Sequence, residues 1–499
     1  MALIGLAVGL GLAAARLPLG PAMAVTLGPA LLALIFIEPA VGLGLTLIAA
    51  PLKAYLARVY PGLPLDPGQL FFAVTLAAWL ARGAARREIK IPHLPSSACP
   101  RAVSGVFLSL TLFISISALS LWAAPSLSDG FGELIKWAQI GLMAALVFDC
   151  GRRNRALAFI LGAVFAAGAI QAGLGLWQFA FSANEPAHFR ILGDHFRAFG
   201  TFEQPNPFGG FMGLLWPVAA GLTAWTVERR VWSDSRFTLH ASHSTLLALL
   251  TSLFLLSLAL SFSRGAWLGA AAAGVTLLAF LPRRLWLGLG LVTVALIGGL
   301  WLAERGLLPQ AITARIADLG DFTQVYDARG AHINEDNYAV LQRLAFWQAA
   351  EGMADAHPWL GVGIGNYPVA YPGFALLNWP QAIGHAHNIY LNMLAEVGLL
   401  GLAAYLIFWA SVVALTLRAL RANTDWRRGL ALGVLAAWAH LAVHGLVDNL
   451  YVNNIHLFVG AYVGLLALTL KRPLSELENH HKDTKARRTT DKALRVFVP

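Results

Sequence analysis

Three groups of residues in this sequence are of types that do chemistry. Gly384-His385-Ala386-His387-Asn388 opens the segment Ile-Tyr-Leu-Asn-Met-Leu-Ala-Glu, in which Asn388, Asn392 and Glu396 recur every four residues. On a helix that spacing makes one polar stripe. His387 stands at the mouth of that helix, and an imidazole titrating near neutrality suits proton abstraction from a hydroxyl. Arg264 lies in Ser-Phe-Ser-Arg-Gly-Ala-Trp between two apolar runs with almost no loop. A charged residue at or in a membrane is costly and usually has a functional partner. Arg343 opens a segment of helical periodicity that continues to Gly-Val-Gly-Ile-Gly-Asn-Tyr at 361–367. Taken singly, each has a plainer reading: a hydrogen-bonded histidine, a snorkelling arginine, a surface arginine. Together they suit one reaction type. Arginine forks hold phosphate oxygens and stay charged, and lipid-linked sugars present a diphosphate at headgroup level. Such a leaving group needs its charge neutralised, and a hydroxyl nucleophile needs a base.

Two other patterns carry less. His440, His444 and Asp448 follow one another at i, i+4 and i+8, with His456 nearby. That spacing suits a divalent metal on one helix face. The preferred reading is a polar face lining a substrate cavity, with Asp448 a lesser site candidate. The glycines 361, 363 and 365 resemble a nucleotide loop only superficially, because no strand–helix unit surrounds them. They read as turn glycines.

The elements that must position these residues are membrane helices. Of the 499 residues, 58% are hydrophobic and 12% are charged, more apolar surface than a soluble fold of this length hides. A spanning helix needs about 20 mainly apolar residues. Candidate spans are 2–15, 22–37, 40–52, 68–82, 104–123, 131–148, 156–180, 207–226, 244–262, 266–281, 286–303, 397–416, 429–447 and 454–470. The first four are short and broken by Pro21, Pro39, Pro51 and Pro67, so the expectation is 12–14 transmembrane helices in an all-α bundle. The first run lacks a basic leader and a cleavage site, and reads as a retained helix.

Basic clusters fix the orientation. They are Arg82/Arg86/Arg87/Lys90, Arg152/Arg153/Arg155, Arg229/Arg230/Arg236, Arg283/Arg284, Arg418/Arg421/Arg427/Arg428 and the tail from Lys471. All fall on one side if the spans alternate, which puts the longest loop, 304–395, outside the cytoplasm. Residues 304–384 carry eight acids against four arginines, so this is no positive-inside loop. Its aromatics and helical periodicity around Tyr338–Met353 predict a folded, mostly helical loop. The expected organisation is a bundle over 1–303, the loop over 304–395, further membrane helices over 396–470 and a charged cytoplasmic tail over 471–499. The net charge of +10 sits in those interhelical clusters, which excludes nucleic acid as the preferred partner. Cys99 and Cys150 offer no disulfide framework or metal motif. No internal repeat and no matched broken helices are present, which counts against a transporter or flippase of lipid-linked sugars.

With these residues in place, the sequence resembles the bacterial O-antigen ligase/polymerase family. His387-Asn388, nine residues and Gly398-Leu-Leu-Gly401 look like the family's signature, although Leu402 stands where Thr or Val is usual. Arg197-Ala-Phe-Gly-Thr-Phe-Glu-Gln-Pro-Asn206, Ser263-Arg264-Gly-Ala-Trp-Leu-Gly and Arg343 with downstream His357-Pro-Trp-Leu-Gly are also similar. The resemblance implies a membrane glycosyltransferase of GT-C type, taking a glycan from undecaprenyl diphosphate to an acceptor outside the cytoplasmic membrane. It implies His387 as base or organiser and Arg264 and Arg343 as diphosphate ligands. Arg197 and Asn206 come from a looser motif, and Asn388, Glu396 and Asp448 are secondary candidates. Neither metal nor other cofactor is implied. Ligase, polymerase and protein O-oligosaccharyltransferase share that donor and differ in acceptor.

Overall fold

A computed structural model describes residues 19–62, 66–86, 101–182, 186–232, 238–307, 327–334 and 337–470. The expected first span at 2–15, Arg87, Lys90, Cys99, Arg236, much of the acidic stretch 308–326 and the charged tail lie outside the described residues. Nine described helices are long and apolar enough to cross a membrane: Pro39–Val59, Pro67–Ala85, Arg101–Trp122, Leu127–Cys150, Asn154–Phe181, Pro205–Glu228, His243–Leu260, Leu285–Glu304 and Ile389–Ala422. Thr26–Ile37, Arg264–Phe280 and Ile455–Thr469 are shorter apolar helices. The chain is a multi-pass, essentially all-α membrane protein. A two-stranded antiparallel hairpin, β1 (Arg190–Ile191) with β2 (His195–Phe196), is the one sheet among the described residues.

The helices are named in chain order. First come α1 (Leu19–Ile37), α2 (Pro39–Ala49), α3 (Lys53–Val59), α4 (Pro67–Arg86) and α5 (Arg101–Leu119). Then follow α6 (Leu127–Cys150), α7 (Asn154–Phe181), α8 (Pro205–Trp232), α9 (Thr238–Leu260), α10 (Arg264–Phe280) and α11 (Leu285–Glu304). The large loop contributes α12 (Tyr338–Ala356) and α13 (Tyr367–Ala370), and α14 (Ile389–Ala422), α15 (Trp426–His444) and α16 (Ile455–Thr469) complete the chain. The prolines of the N-terminal third act as expected at Pro39 and Pro67, which open helices where a missing N–H is harmless. Pro51 does less than expected. It sits in a single 3-10 turn, Ala50–Leu52, and the helix resumes through Val59, past the predicted end at 52.

The core lies where α8, α10, α15 and α16 meet. α8 against α15 is the most extensively packed pair, followed by α9 on α8, α10 on α15 and α16 on α6. In lipid, apolar helices gain little from hiding side chains from water, so small residues that admit close backbone contact hold them together. Gly221 and Gly433 do this between α8 and α15. A Cβ on Gly221 would stand 2.3 Å from the Gly429 carbonyl oxygen, and one on Gly433 would stand 2.5 Å from that of Pro217. Trp438, Tyr462, Phe211 and Phe458 fill the layers above and below. By contrast α11 is almost wholly uncovered, showing Leu289, Val294, Ile297 and Leu300 to the surroundings. That is the composition of a lipid-facing peripheral helix.

The chain direction alternates so that Arg264, Asn388 and His444 lie at one end of the bundle, the site end. Arg153, Arg283 and Arg428 lie at the other. Arg428 donates to the carbonyls of Phe280 and Leu281, both at 3.1 Å, and so caps α10 where its last carbonyls lack partners. Replacing Gly433 by Leu should force α8 and α15 apart at about 1–3 kcal/mol. A lower melting temperature in detergent than that of Gly274→Leu, whose Cβ meets nothing within 4 Å, is the expected result.

Candidate functional site

The histidine loop is built on a helix start. Asn388 is the N-cap of α14, its Oδ1 accepting from the N–H groups of Tyr390 and Leu391 at 3.0 and 3.1 Å. The chain must reverse just before that cap, and His387 takes a left-handed conformation at φ 50°. A branch-bearing residue resists such a conformation unless its neighbours impose it. Here they do. Asn392 Oδ1 accepts from Ala386 N–H at 3.1 Å, and the Gly445 carbonyl accepts from Ile389 N–H at 2.9 Å. The His387 ring lies nearly parallel to Phe346 of α12, with centroids 5.9 Å apart.

Asp448, in the linker between α15 and α16, completes this group. Its Oδ1 stands 3.3 Å from His387 Nδ1 and 3.8 Å from His385 Nε2, and accepts from the Asn449 N–H at 2.8 Å. A carboxylate that fixes Nδ1 leaves Nε2 of His387 as the nitrogen available for chemistry. Burial disfavours the Asp448 charge, yet the hydrogen bond from His387 and the fields of His387 and His385 hold its carboxyl below the usual range. Burial, with His387 close by, pushes His385 down to about 4, so it is neutral near pH 7. His385, His387 and Asp448 offer ligand atoms all within 4.8 Å of one another.

On the other side of Asp448 is a cavity of about 120 Å³. Arg197, Asn206, Ser263, Arg264, Arg343, His444 and Asp448 all line it. Each arginine arrives on a separate element. Arg264 is the first residue of α10, whose cap Ser263 accepts from Ala266 N–H at 3.3 Å. Arg197 follows the hairpin and donates from Nε to the Ser261 carbonyl at 2.8 Å and from Nη2 to Phe262 O at 3.3 Å and Asn206 Oδ1 at 3.4 Å. It thereby fixes the turn that aims Arg264. Arg343 projects from α12 and donates from Nη1 to the Ala339 carbonyl, while its buried Nε has no partner. Burial lowers Arg343 from its ordinary value; Asp448 opposes that and Arg264 adds to it. A buried donor left open among three guanidinium groups is a place for anionic oxygens.

The expected residues therefore do not all do one thing. His387, Arg264, Arg343, Arg197, Asn206 and Asp448 come together. Asn388 and Glu396 lie behind them and shape the loop. Glu396 Oε1 accepts from Tyr367 N–H at 3.1 Å, and the carbonyls of Ala395 and Glu396 accept from Val362 and Gly363 N–H at 2.9 Å each. Gly361, Gly363 and Gly365 all have positive φ, and a Cβ on Gly361 would lie 2.3 Å from the Glu396 carbonyl carbon. Gly398, at φ 63°, breaks α14 so that Leu399 and Leu400 N–H reach back to the carbonyls of Pro358 and Trp359. The predicted start of the membrane helix at 397 is thus the break, and an extra helical piece, Ile389–Val397, belongs to the site. The described part of the large loop is helical at α12 and α13 and otherwise made of turns.

Two participants were not foreseen. His385 was visible as the first histidine of Gly-His-Ala-His-Asn, but spacing alone does not show that both rings reach one carboxylate. Phe346 carried no signal at all. His444 lines the arginine cavity. His440, buried one turn below, sits where Gly213 and Gly269 leave room for its ring. Beside the site, an apolar cavity of about 380 Å³ runs along α10, α14 and α15, lined by Tyr390, Tyr405, Trp409, Trp438 and Tyr451 among others.

Residues 247–406 match the model of the O-antigen ligase family. Comparison with curated proteins finds no match.

The lowered His385 and Asp448 set a sign for acid stability. Each binds its proton less readily folded than unfolded, so each contributes stability that declines on acidification. For His385 the contribution is complete above its ordinary 6.5 and fades as pH falls toward about 4. Scanning fluorimetry of the detergent-purified protein should show a melting temperature falling over that window, and His385→Gln should flatten the fall.

Proposed function

The chain carries an O-antigen ligase family domain over residues 247–406, and from that premise we propose that it transfers a glycan from undecaprenyl diphosphate to an acceptor hydroxyl outside the cytoplasmic membrane. The observation that carries this reading is the Asp448 junction: a His387–Asp448 pair at 3.3 Å on one side and a cavity with Arg197, Arg264 and Arg343 on the other. In this reading the diphosphate sits among the guanidinium groups, with the unpartnered Arg343 Nε as one of its donors. The apolar cavity beside α14 takes the proximal part of the polyprenyl chain. His387 Nε2 accepts the acceptor proton while Asp448 stabilises the imidazolium that forms. The acceptor oxygen bonds to the anomeric carbon, the bond to the phosphate oxygen breaks, and undecaprenyl diphosphate leaves with that bond's electron pair. A direct displacement of this kind inverts the anomeric centre. Three positive groups at the leaving oxygens stabilise the charge that develops there, so the reaction runs without a metal or other cofactor. Arg197 and Asn206 position the Arg264 turn, and Asn388 and Glu396 position the histidine loop.

The basic helix ends opposite the site support an orientation in which the site faces away from the cytoplasm. Polymerase and protein O-oligosaccharyltransferase readings keep the same donor half and change only the acceptor. One observation favours a second chemistry, the closeness of His385, His387 and Asp448; a divalent cation there would take the place of the proton acceptor.

The test is a reconstituted assay with glycan-loaded carrier, reading release of undecaprenyl diphosphate. His387→Ala should lower kcat by roughly 100- to 10,000-fold, the usual worth of a positioned base. Arg343→Lys should also lose activity, because a point charge does not reproduce the fork. Wild-type rates in both variants would sink the proposal, and loss of wild-type activity in EDTA would transfer it to the metal reading. One transfer per acceptor would indicate a ligase, and a ladder of lengthening lipid-linked chains a polymerase.

A further inference from the structure

A second basic cavity lies at the opposite end of the bundle from the site, and the transfer reading leaves it unused. It has a volume of about 450 Å³ and lies between the end of α10, the start of α11 and the turn from α14 into α15. That is within the range of sites that hold small organic groups, about 300–1,000 Å³. Arg283, Arg421 and Arg428 line it together with Asn423 and Thr424, and no carboxylate does. The remaining walls are apolar, Phe280, Leu285 and Leu417 among them.

Two carboxylates stand nearby, and together they fall short of the positive charge. Glu228 is 4.0 Å from Arg283, with side chains 47% and 62% exposed, a separation and exposure at which an ion pair is worth little. Its field also reaches Arg428, where that of Arg283 opposes it. Asp425 is taken up by Arg427, accepting at Oδ1 from its N–H and at Oδ2 from its Nη1, both at 3.0 Å. Arg428 is buried and spends Nη2 on the carbonyls of Phe280 and Leu281, which are not counter-ions. Arg421 pairs with no described side chain. These helix ends therefore carry arginines at 283, 284, 418, 421, 427 and 428 against two acids. Cations gathered around one concavity repel one another, so an anion held there gains from several at once.

The walls favour one class of anion. Leu285 and Trp286 are 51% and 65% exposed where α11 begins, and α11 shows its apolar surface along its length. An exposed tryptophan beside arginines is the composition of a helix end at headgroup depth. Phe280 and Leu417 line both this cavity and the apolar cavity beside α14, so apolar surface adjoins the arginines on the membrane side. A ligand with a phosphate at one end and hydrocarbon at the other meets both surfaces, whereas a soluble anion leaves the apolar one wet. In the orientation that the transfer reading adopts, this end lies in the cytoplasmic leaflet, whose anionic lipids are drawn to basic pockets between membrane helices.

We propose that this cavity holds the phosphate headgroup of an anionic phospholipid, with an acyl chain laid on the apolar surface beside it. The binding stands whether or not the chain transfers a glycan. Full-length protein in detergent micelles is titrated with dioleoyl phosphatidylglycerol and with dioleoyl phosphatidylcholine, and retained lipid is counted by native mass spectrometry. Phosphatidylglycerol should be retained the more tightly. Arg283→Gln combined with Arg421→Gln should weaken it by roughly tenfold or more, given what each basic residue contributes at an anionic surface. Arg152→Gln combined with Arg153→Gln should leave it unchanged, because those arginines lie at the same end but answer Asp149 and Glu38 at 3.1 and 3.5 Å. Thr424→Trp fills the cavity from an exposed turn without removing a charge, and should also lower retention. Glycerophosphoglycerol, the same headgroup without its chains, should bind at least roughly tenfold more weakly than the lipid. Equal retention of the two lipids, unchanged retention in both cavity variants, an equal loss in the Arg152 and Arg153 variant, or headgroup binding as tight as that of the lipid would each overturn the proposal.

Discussion

A carboxylate held away from water must be neutralised, paired or protonated, and Asp448 is held away from water with two imidazoles and a cavity of guanidinium groups around it. Much of the local architecture follows from meeting that demand. The linker between α15 and α16 has to bring Asp448 under the histidine loop. The loop has to turn sharply enough for two rings to reach one oxygen, which is why His387 adopts a left-handed backbone that Asn388, Asn392 and Gly445 then impose. The same carboxylate offsets the repulsion among Arg264 and Arg343. Removing it would leave cations facing one another and two histidines with no shared partner.

The large loop is bound to the membrane helices by backbone rather than by apolar burial alone. Val362, Gly363, Leu399 and Leu400 each donate a main-chain hydrogen bond across the junction. Such an arrangement needs chains closer than side chains permit, and left-handed glycines on both sides supply the closeness: 361, 363 and 365 on the loop, 398 on the helix. Glu396 then closes the gap at Tyr367. Because α12 carries both Arg343 and Phe346, this docking fixes one guanidinium of the cavity and the ring that stacks on His387 at the same time.

How much of this was legible depended on the range over which each signal acts. Hydropathy and charge are local and periodic, so helices such as 131–148, 156–180 and 286–303 were readable within a few residues of Leu127–Cys150, Asn154–Phe181 and Leu285–Glu304. Arg264, Arg343 and His387 stood out because each is expensive or unusual where it sits. Their convergence on one junction was not readable, since it depends on contacts between residues 61 or more positions apart, such as His387 with Asp448. The stripe of Asn388, Asn392 and Glu396 was seen correctly as a stripe. Periodicity could not say that it faces the loop, because a polar face has the same pattern whether it meets substrate, water or backbone amides. Pro51 illustrates the opposite error: proline is a strong local breaker, but a single 3-10 turn absorbed its missing donor and the helix went on.

The linker between α15 and α16 explains why the polar groups are divided as they are. Along ten residues it presents Asp448 to the arginine cavity and bonds the buried Asn454 to Asp66, while Tyr451 joins the aromatic packing with Trp137 and Tyr405. Backbone in a lipid environment must find all its partners within the protein, so an irregular segment there is tolerated only where both of its faces are covered or line cavities. The linker satisfies that condition by lining the arginine cavity at Val447 and Asp448 and the apolar cavity at Gly445, Leu450 and Tyr451. A continuous helix through 445–454 would satisfy its own amides more cheaply. It would also leave Asp448 without the left-handed turn of His387 opposite it.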